Sequence, residues 1–266
     1  MAVPSYLSTD FATTELNGVS DWNTVLPEIG TLLTSTLPVA SRWTDLGSGE
    51  YRCPAQEPSG ANRFFSVVFT RISATRLQVA TKNKGGTTIY TGTIDFTGSM
   101  TCKLFAGPYH IVVQADDGSL EVAYSFMTDP TPFSLDSATY YVYAWTHRNS
   151  AGTAYFNPNQ FGVGSLVTND AGSTTPRFRG LVWRIANGTI SGYSAAGSSL
   201  VMPYAVSEVD TFKFVGHGYQ MLLLPYDLAF GTVVTVPLDD GIFGDFEVIG
   251  LVAPSTSFAR LGVRVA

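Results

Sequence analysis

Arg63-Phe64-Phe65-Ser66-Val67-Val68-Phe69-Thr70-Arg71-Ile72-Ser73-Ala74-Thr75-Arg76-Leu77-Gln78-Val79 is the stretch that decides the fold class. Its first ten residues, Arg63 to Ile72, are apolar on both sides, the pattern of a strand in the middle of a sheet. Leu77 and Val79 then alternate with Arg76 and Gln78, so that one face is apolar and the other polar. The same period of two returns where Val122, Tyr124 and Phe126 alternate with Glu121, Ala123 and Ser125. Between such runs lie Asn83-Lys84-Gly85-Gly86, Asp116-Asp117-Gly118 and Asn187-Gly188. These residue types supply the positive backbone angles of hairpin turns. From Glu50 onward the chain therefore reads as successive hairpins, and the aromatic run Tyr140, Tyr141, Val142, Tyr143 and Trp145 is expected to finish a first sheet system.

Upstream of Glu50 the period is helical. Trp22, Val25, Leu26, Ile29, Leu32 and Leu33 share one face at 3.6-residue spacing, and Ser20 or Asp21 is placed to cap the start. A helix is predicted from about Asp21 to Thr36. Pro27 lacks an amide hydrogen, which predicts a kink or a late start, and Pro38 ends any continuation. The stripe is explained most simply as a helix packed on a sheet. The alternative is an arm that docks on a neighbouring subunit, which makes Trp22, Leu26, Ile29 and Leu33 candidate interface residues.

Downstream, 157–176 is rich in Gly, Asn, Ser, Thr and Pro and has little sustained periodicity. It is read as a loop or linker between an N-terminal helix plus β domain (1–156) and a second β domain (177–266). Strand patterns resume with Leu181, Trp183 and Ile185, then Phe212 and Phe214, Val233 to Val236, Phe246 to Val252, and Leu261, Val263 and Val265. Short strands without helix-length crossovers predict a mainly β protein of antiparallel sandwich or barrel domains with a short N-terminal helix. One continuous sandwich with a long internal loop is the alternative to two domains. No repeat of fixed period is visible, which argues against solenoids and propellers.

Charged residues make up only 14% of the 266-residue chain, against about 25% in ordinary soluble domains. A surface filled instead with Ser, Thr, Gly and Tyr is expected where neighbouring subunits cover it. The competing reading is a Ser/Thr-rich protein kept in solution by its hydroxyls. A net charge of -6 and a pI near 5.0 argue against nucleic acid as a partner, since phosphates demand clustered Lys and Arg. Arg63, Arg71 and Arg76 flank apolar strands and are expected to cap or edge a sheet. Met1 to Phe11 has neither a basic region nor an apolar run, so no cleaved secretion signal is expected in it. Met221-Leu222-Leu223-Leu224 is stopped by Pro225 and Asp227, too short for membrane insertion. Cys53 and Cys102 are read as reduced, structural thiols.

No catalytic constellation emerges, and the chain is expected not to be an enzyme. His110, His147 and His217 are isolated from one another and from the cysteines, so no metal or cofactor is expected. Gly192-Tyr193-Ser194-Ala195-Ala196 lacks the second glycine of a nucleophile elbow and is followed by more strand-like sequence. Asp116-Asp117 and Asp239-Asp240 each precede a glycine, where Asp is favoured for turn hydrogen bonds, and neither pair carries the further oxygens of a calcium loop. Phosphate-binding glycine loops are absent from the sequence. Asn187-Gly188-Thr189 matches a glycosylation acceptor but reads as a tight turn. Most aromatics, 13% of the chain, fall at alternating strand positions and are expected in the core or between subunits.

Two stretches, Ser41-Arg42-Trp43-Thr44-Asp45-Leu46-Gly47-Ser48-Gly49-Glu50-Tyr51 and Arg63 to Leu77, with the hairpin around Gly85-Gly86 and Tyr141-Val142-Tyr143-Ala144, resemble structural proteins of tailed-bacteriophage virions, especially tail- or baseplate-associated components. The likeness covers roughly the first 150 residues and is one of texture, with no diagnostic motif. It implies a virion component assembled in the host cytoplasm, whose partners are other virion proteins and copies of itself. Tail, baseplate, connector and capsid all fit, and no catalytic residue carries over. A second expectation is a receptor- or host-glycan-binding domain at a particle tip, resting on Tyr109, Tyr155, Phe156 and Tyr219 near predicted turns. The third, a β-sandwich hydrolase of wall or capsule polysaccharide, lacks a recognisable acid pair.

Overall fold

The structure is a computed structural model that describes residues 10–54, 65–82, 86–108, 110–117, 120–128, 142–150, 153–154, 164–168, 173–180, 202–208, 214–224, 228–229, 231–239, 242–249 and 260–266. Among the described residues the chain is mostly β, in three antiparallel sheets that do not close into barrels, with one short helical segment near the N-terminus.

Strand β1 (Ala12–Val19) comes first and has no counterpart in the sequence expectations. Its inward residues Ala12, Thr14 and Leu16 do alternate, but Gly18, at φ 71°, introduces a bulge that turns Val19 inward out of step. An eight-residue strand with a phase break presents too few periods to stand out. Helix α1 (Trp22–Thr31) follows, and its N-cap is Asp21, which accepts a hydrogen bond from Asn23 N at 2.8 Å. Arg71 clamps the same carboxylate through Nε at 2.7 Å and Nη2 at 2.9 Å. The helix neither starts late nor breaks at Pro27. It widens instead into a π-helical stretch, Leu32–Thr36, in which Leu37 N donates to Leu32 O at 3.3 Å. Thr34 and Thr36 hydroxyls donate to the carbonyls of Gly30 and Thr31, and the helical path ends before Pro38. The expected extent, Asp21 to Thr36, thus includes both stretches.

Strands β2 (Thr44–Gly47), β3 (Glu50–Arg52), β4 (Ser66–Arg71), β5 (Arg76–Lys82) and β6 (Thr88–Asp95) form a sheet in chain order. The sequence that decided the fold class supplies β4, third of the five, and β5. Burial on both sides is only partial there: Val67 and Phe69 are buried, whereas Ile72 is 53% exposed. Arg71 and Arg76 sit at that end of the sheet and pair with Asp21 and Asp95. The second sheet takes β1, β7 (Met100–Gly107), β8 (His110–Asp116), β9 (Leu120–Thr128), β10 (Val142–Ser150) and β11 (Thr153–Ala154), in that order. Cys102, Leu104 and Ala106 of β7 lie opposite Ala115, Val113 and Ile111 of β8 and form one buried face. With Trp22, Val25, Ile29, Leu32, Leu33 and Leu37, and with Val67, Phe69, Leu77, Val79 and Ile94 of the first sheet, they make one continuous core. The helix wedges between the two sheets, where Trp22 meets Phe96 edge-on at 5.5 Å between ring centroids. Trp43 pins the chain after the helix by donating its indole N–H to Gly107 O at 2.9 Å.

The third sheet contains β12 (Gly164–Thr168), β13 (Ser173–Gly180), β14 (Met202–Glu208), β15 (Phe214–Leu224), β16 (Val233–Asp239), β17 (Ile242–Ile249) and β18 (Arg260–Arg264), in the order β12-β13-β14-β15-β18-β17-β16. The stretch 157–176 is therefore not all loop, since it holds β12 and the start of β13. Ladder bonds are made by the main chain, so a Gly/Ser/Thr-rich sequence can pair without apolar periodicity. Residues 181–185, 187–188 and 250–252, on which other strand and turn expectations fell, lie outside the described residues.

The hairpin between β2 and β3 turns on Ser48 and Gly49, at φ 54° and 76°, the positive pair that a tight two-residue hairpin needs. A Cβ on Gly49 would stand 2.4 Å from Phe69 O, whose own amide donates to Gly49 O at 2.9 Å. Gly49→Ala is expected to destabilise the fold by about 2 kcal/mol or more, from left-handed strain plus displacement of β4. Urea unfolding of the two proteins side by side measures it, and an unchanged midpoint contradicts the close approach.

Candidate functional site

β7 and β8 bury their second face too. Phe105 and Val112 are 2% and 0% exposed although they point away from the core shared with α1, and His110 and Gln114 lie beside them. Alternation puts Phe11, Thr13 and Glu15 of the β1 segment on this same side. The third sheet meets it: Lys103 Nζ of β7 makes a very short contact with Glu247 Oε1 of β17 and lies 3.5 Å from Glu15 Oε2, and the Arg264 guanidinium stands 4.9 Å over the Phe11 ring. The seam between the sheets is thus rich in polar groups, whereas the core around α1 is apolar.

The charges in the seam are held by their partners. Burial opposes a charged Lys103, but the hydrogen bond and charge of Glu247, helped by Glu15, outweigh it and raise its pKa. Glu15 is held below the usual carboxylate range, first by the hydrogen bond from Asn17 and also by Lys103. His110 is kept neutral by burial, which pushes its pKa down to about 3. The Cys102 thiol is pushed up to about 12 by burial, which leaves no thiolate for chemistry at neutral pH. Cys53 is buried as well. Among the described residues no three His, Cys, Asp or Glu side chains gather as a metal site, and no helix is long and apolar enough to cross a membrane.

The residues singled out as a candidate interface separate into three groups. Trp22, Ile29 and Leu33 are wholly buried inside the chain's own core, so they have no surface to give a partner. The structure has the helix packed on its sheets; the docking-arm alternative fails because both sheet faces beside α1 need its stripe. Leu26 is half-buried and lines an open cleft of about 500 Å³ with Pro27, Asn23, Tyr51, Phe69 and Arg71. Tyr109, Tyr155 and Phe156 lie outside the described residues, and Tyr219 is placed only as a position in β15. Asp117 has a structural task, accepting from both Thr97 N and Oγ1 at 2.7 Å.

Exposed apolar side chains among the described residues include Val39, Leu46 and Ile72, each on a separate segment, and three more that share one hairpin. Phe243 is 60% exposed, Val233 51% and Ile242 45%, all on the hairpin of β16 and β17, and β16 ends the third sheet. Sequence periodicity identified Val233 to Val236 as a strand, but edge position is a property of sheet order and leaves no periodic signal. Comparison with known protein families, with curated proteins and with solved structures finds no match for this chain.

Two outcomes test the seam. Lys103→Met leaves Glu247 buried without its cation and is expected to cost on the order of 3 kcal/mol, the lower end for a broken buried pair because Lys103 keeps 23% exposure. Glu247→Gln added to Lys103→Met is expected to recover part of the loss in a double-mutant cycle, and strict additivity contradicts the pairing. For His110, the folded pKa lies below the unfolded value of 6.5, so its contribution is complete above pH 6.5 and is lost as pH falls toward 3. The slope approaches about 1.4 kcal/mol per pH unit for one proton. Urea midpoints between pH 6.5 and 5 are expected to fall for the native protein and to stay flatter for His110→Gln.

Proposed function

We propose that this chain is a non-catalytic structural component of a tailed-bacteriophage particle, belonging to the tail or baseplate and acting through contacts between subunits. The observation that carries the reading is the exposure of large apolar side chains on a charge-poor chain: Val233, Ile242 and Phe243 stand exposed on one hairpin of a protein with 14% charged residues. Large apolar side chains exposed on the last two strands of a sheet favour a partner that covers them. The sequence texture described above supplies the particle, and the sheets supply rigid faces from which to build contacts. Specificity then comes from shape and main-chain hydrogen bonds more than from ion pairs.

Labelling purified particles with an antibody against this chain is the direct test. Label at the tail or baseplate is the expected result, and chain found only in the soluble fraction of a lysate rejects the proposal. Because screening shortens from about 10 Å at 0.1 M salt to about 3 Å at 1 M, ionic contacts release their subunits in high salt and apolar ones do not. Particles washed in 1 M NaCl are expected to retain the protein, as read by quantitative mass spectrometry.

A further inference from the structure

The main chain of β16 has one partner among the described strands, β17, and Val248 N donates to Thr232 O at 2.9 Å where that ladder begins. Bonded positions alternate in an antiparallel pair, and the register runs unbroken from Val233 to Pro237. Val234 and Val236 therefore turn their N–H and C=O toward β17, whereas Val233 and Thr235 turn theirs to the side on which no described strand pairs. Pro237 faces that side as well and has no N–H to offer. What fits such an edge is another extended strand.

We propose that β16 pairs antiparallel with β16 of a second copy about a two-fold axis at Val234. In this register Val233 lies opposite Thr235 of the other copy, and both pairs can exchange two main-chain hydrogen bonds, four in all. Gly231 lies opposite Pro237; its N–H is already given to Val248 O, so the donor missing from Pro237 and the one committed at Gly231 fall at the same place, outside the four bonds. The edge is also compatible with itself electrostatically. No charged residue occurs from Val233 to Leu238, and the strand's one charge, Asp239, is its last residue, whereas edge strand β1 carries Glu15 in its middle. Across the two-fold, Asp245 of one copy is three strand spacings, about 14 Å, from Glu247 of the other, beyond the Debye length of about 8 Å at physiological ionic strength. Thr235 Oγ1 holds Asp245 at 2.6 Å and Lys103 holds Glu247, so each carboxylate is already engaged within its own copy. The half-exposed Val233 then lies at the new contact.

This inference rests on the reading of the β16–β17 hairpin as an assembly surface, and its test separates the two. Sedimentation velocity of the full chain across a concentration series is expected to show dimers. Thr235→Pro removes one outward donor from each copy and leaves the main-chain bonds to β17 untouched, although the Thr235 hydroxyl's bond to Asp245 is lost with the side chain; it is expected to weaken dimerisation roughly 30-fold. Val234→Cys keeps the result readable should the proline variant fail to fold, because facing non-bonded positions lie at disulfide distance. Oxidation is expected to trap it as a covalent dimer, with Leu238→Cys as the control that does not cross-link. A full chain that stays monomeric and a Val234→Cys variant that does not cross-link overturn the inference. Oligomers that persist in folded Thr235→Pro without cross-linking overturn it too, yet leave the assembly reading standing. Dimers of a chain that antibody never finds on particles leave this contact standing and overturn the particle reading.

Discussion

Six of the seven side chains of β8 are buried, Ile111, Val113 and Ala115 toward the helix and His110, Val112 and Gln114 toward the third sheet. With Phe105 and Leu104 of β7 on the same two sides, this strand pair has no face left for water. A sheet in that position must be covered twice, and the two covers are built differently. Helix α1 and the five-stranded sheet supply an apolar one, in which each fully buried Leu, Ile or Val is worth about 1.5–3 kcal/mol relative to exposure. The seven-stranded sheet supplies a mixed one, in which Lys103 must meet Glu247 because neither charge can be left alone at that depth.

That difference orders the rest of the molecule. The apolar side is non-directional and tolerates the irregular path of the helical segment, with Pro27 inside it and a widened turn after it. The polar seam is directional: Lys103 reaches Glu247 in one register of β17, and Arg264 meets Phe11 in one position of the C-terminal strand. β17 is thereby located over β7, and β16 is left beyond it as the last strand of the sheet. The exposed hairpin is thus a consequence of where the seam places the third sheet.

Elements with a local signature were legible in the residues. A helix start capped by Ser20 or Asp21, the stripe from Trp22 to Leu33 and the strand pair around Phe69 and Val79 follow from backbone preference and side-chain period. β1 was not legible, because the bulge at Gly18 breaks its alternation, and β12 was not, because a strand held by its main chain needs no apolar pattern. The candidate site was legible least. Trp22, Ile29 and Leu33 have the same period whether they pack inside the chain or against a neighbour, and only the core around them shows which.

By itself the sequence determined the class: an antiparallel, hairpin-built protein with one short helix near its start and too few charges to surround itself with a conventional solvent shell. Those properties reside in residues a few positions apart, where dihedral preference and alternation act. The tertiary structure alone decided the order of strands in the sheets, the meeting of Lys103 with Glu247 across 144 residues and the exposure of Val233 and Phe243. Which strand ends a sheet and which face is covered depend on contacts between segments distant in the chain, and no local period records them.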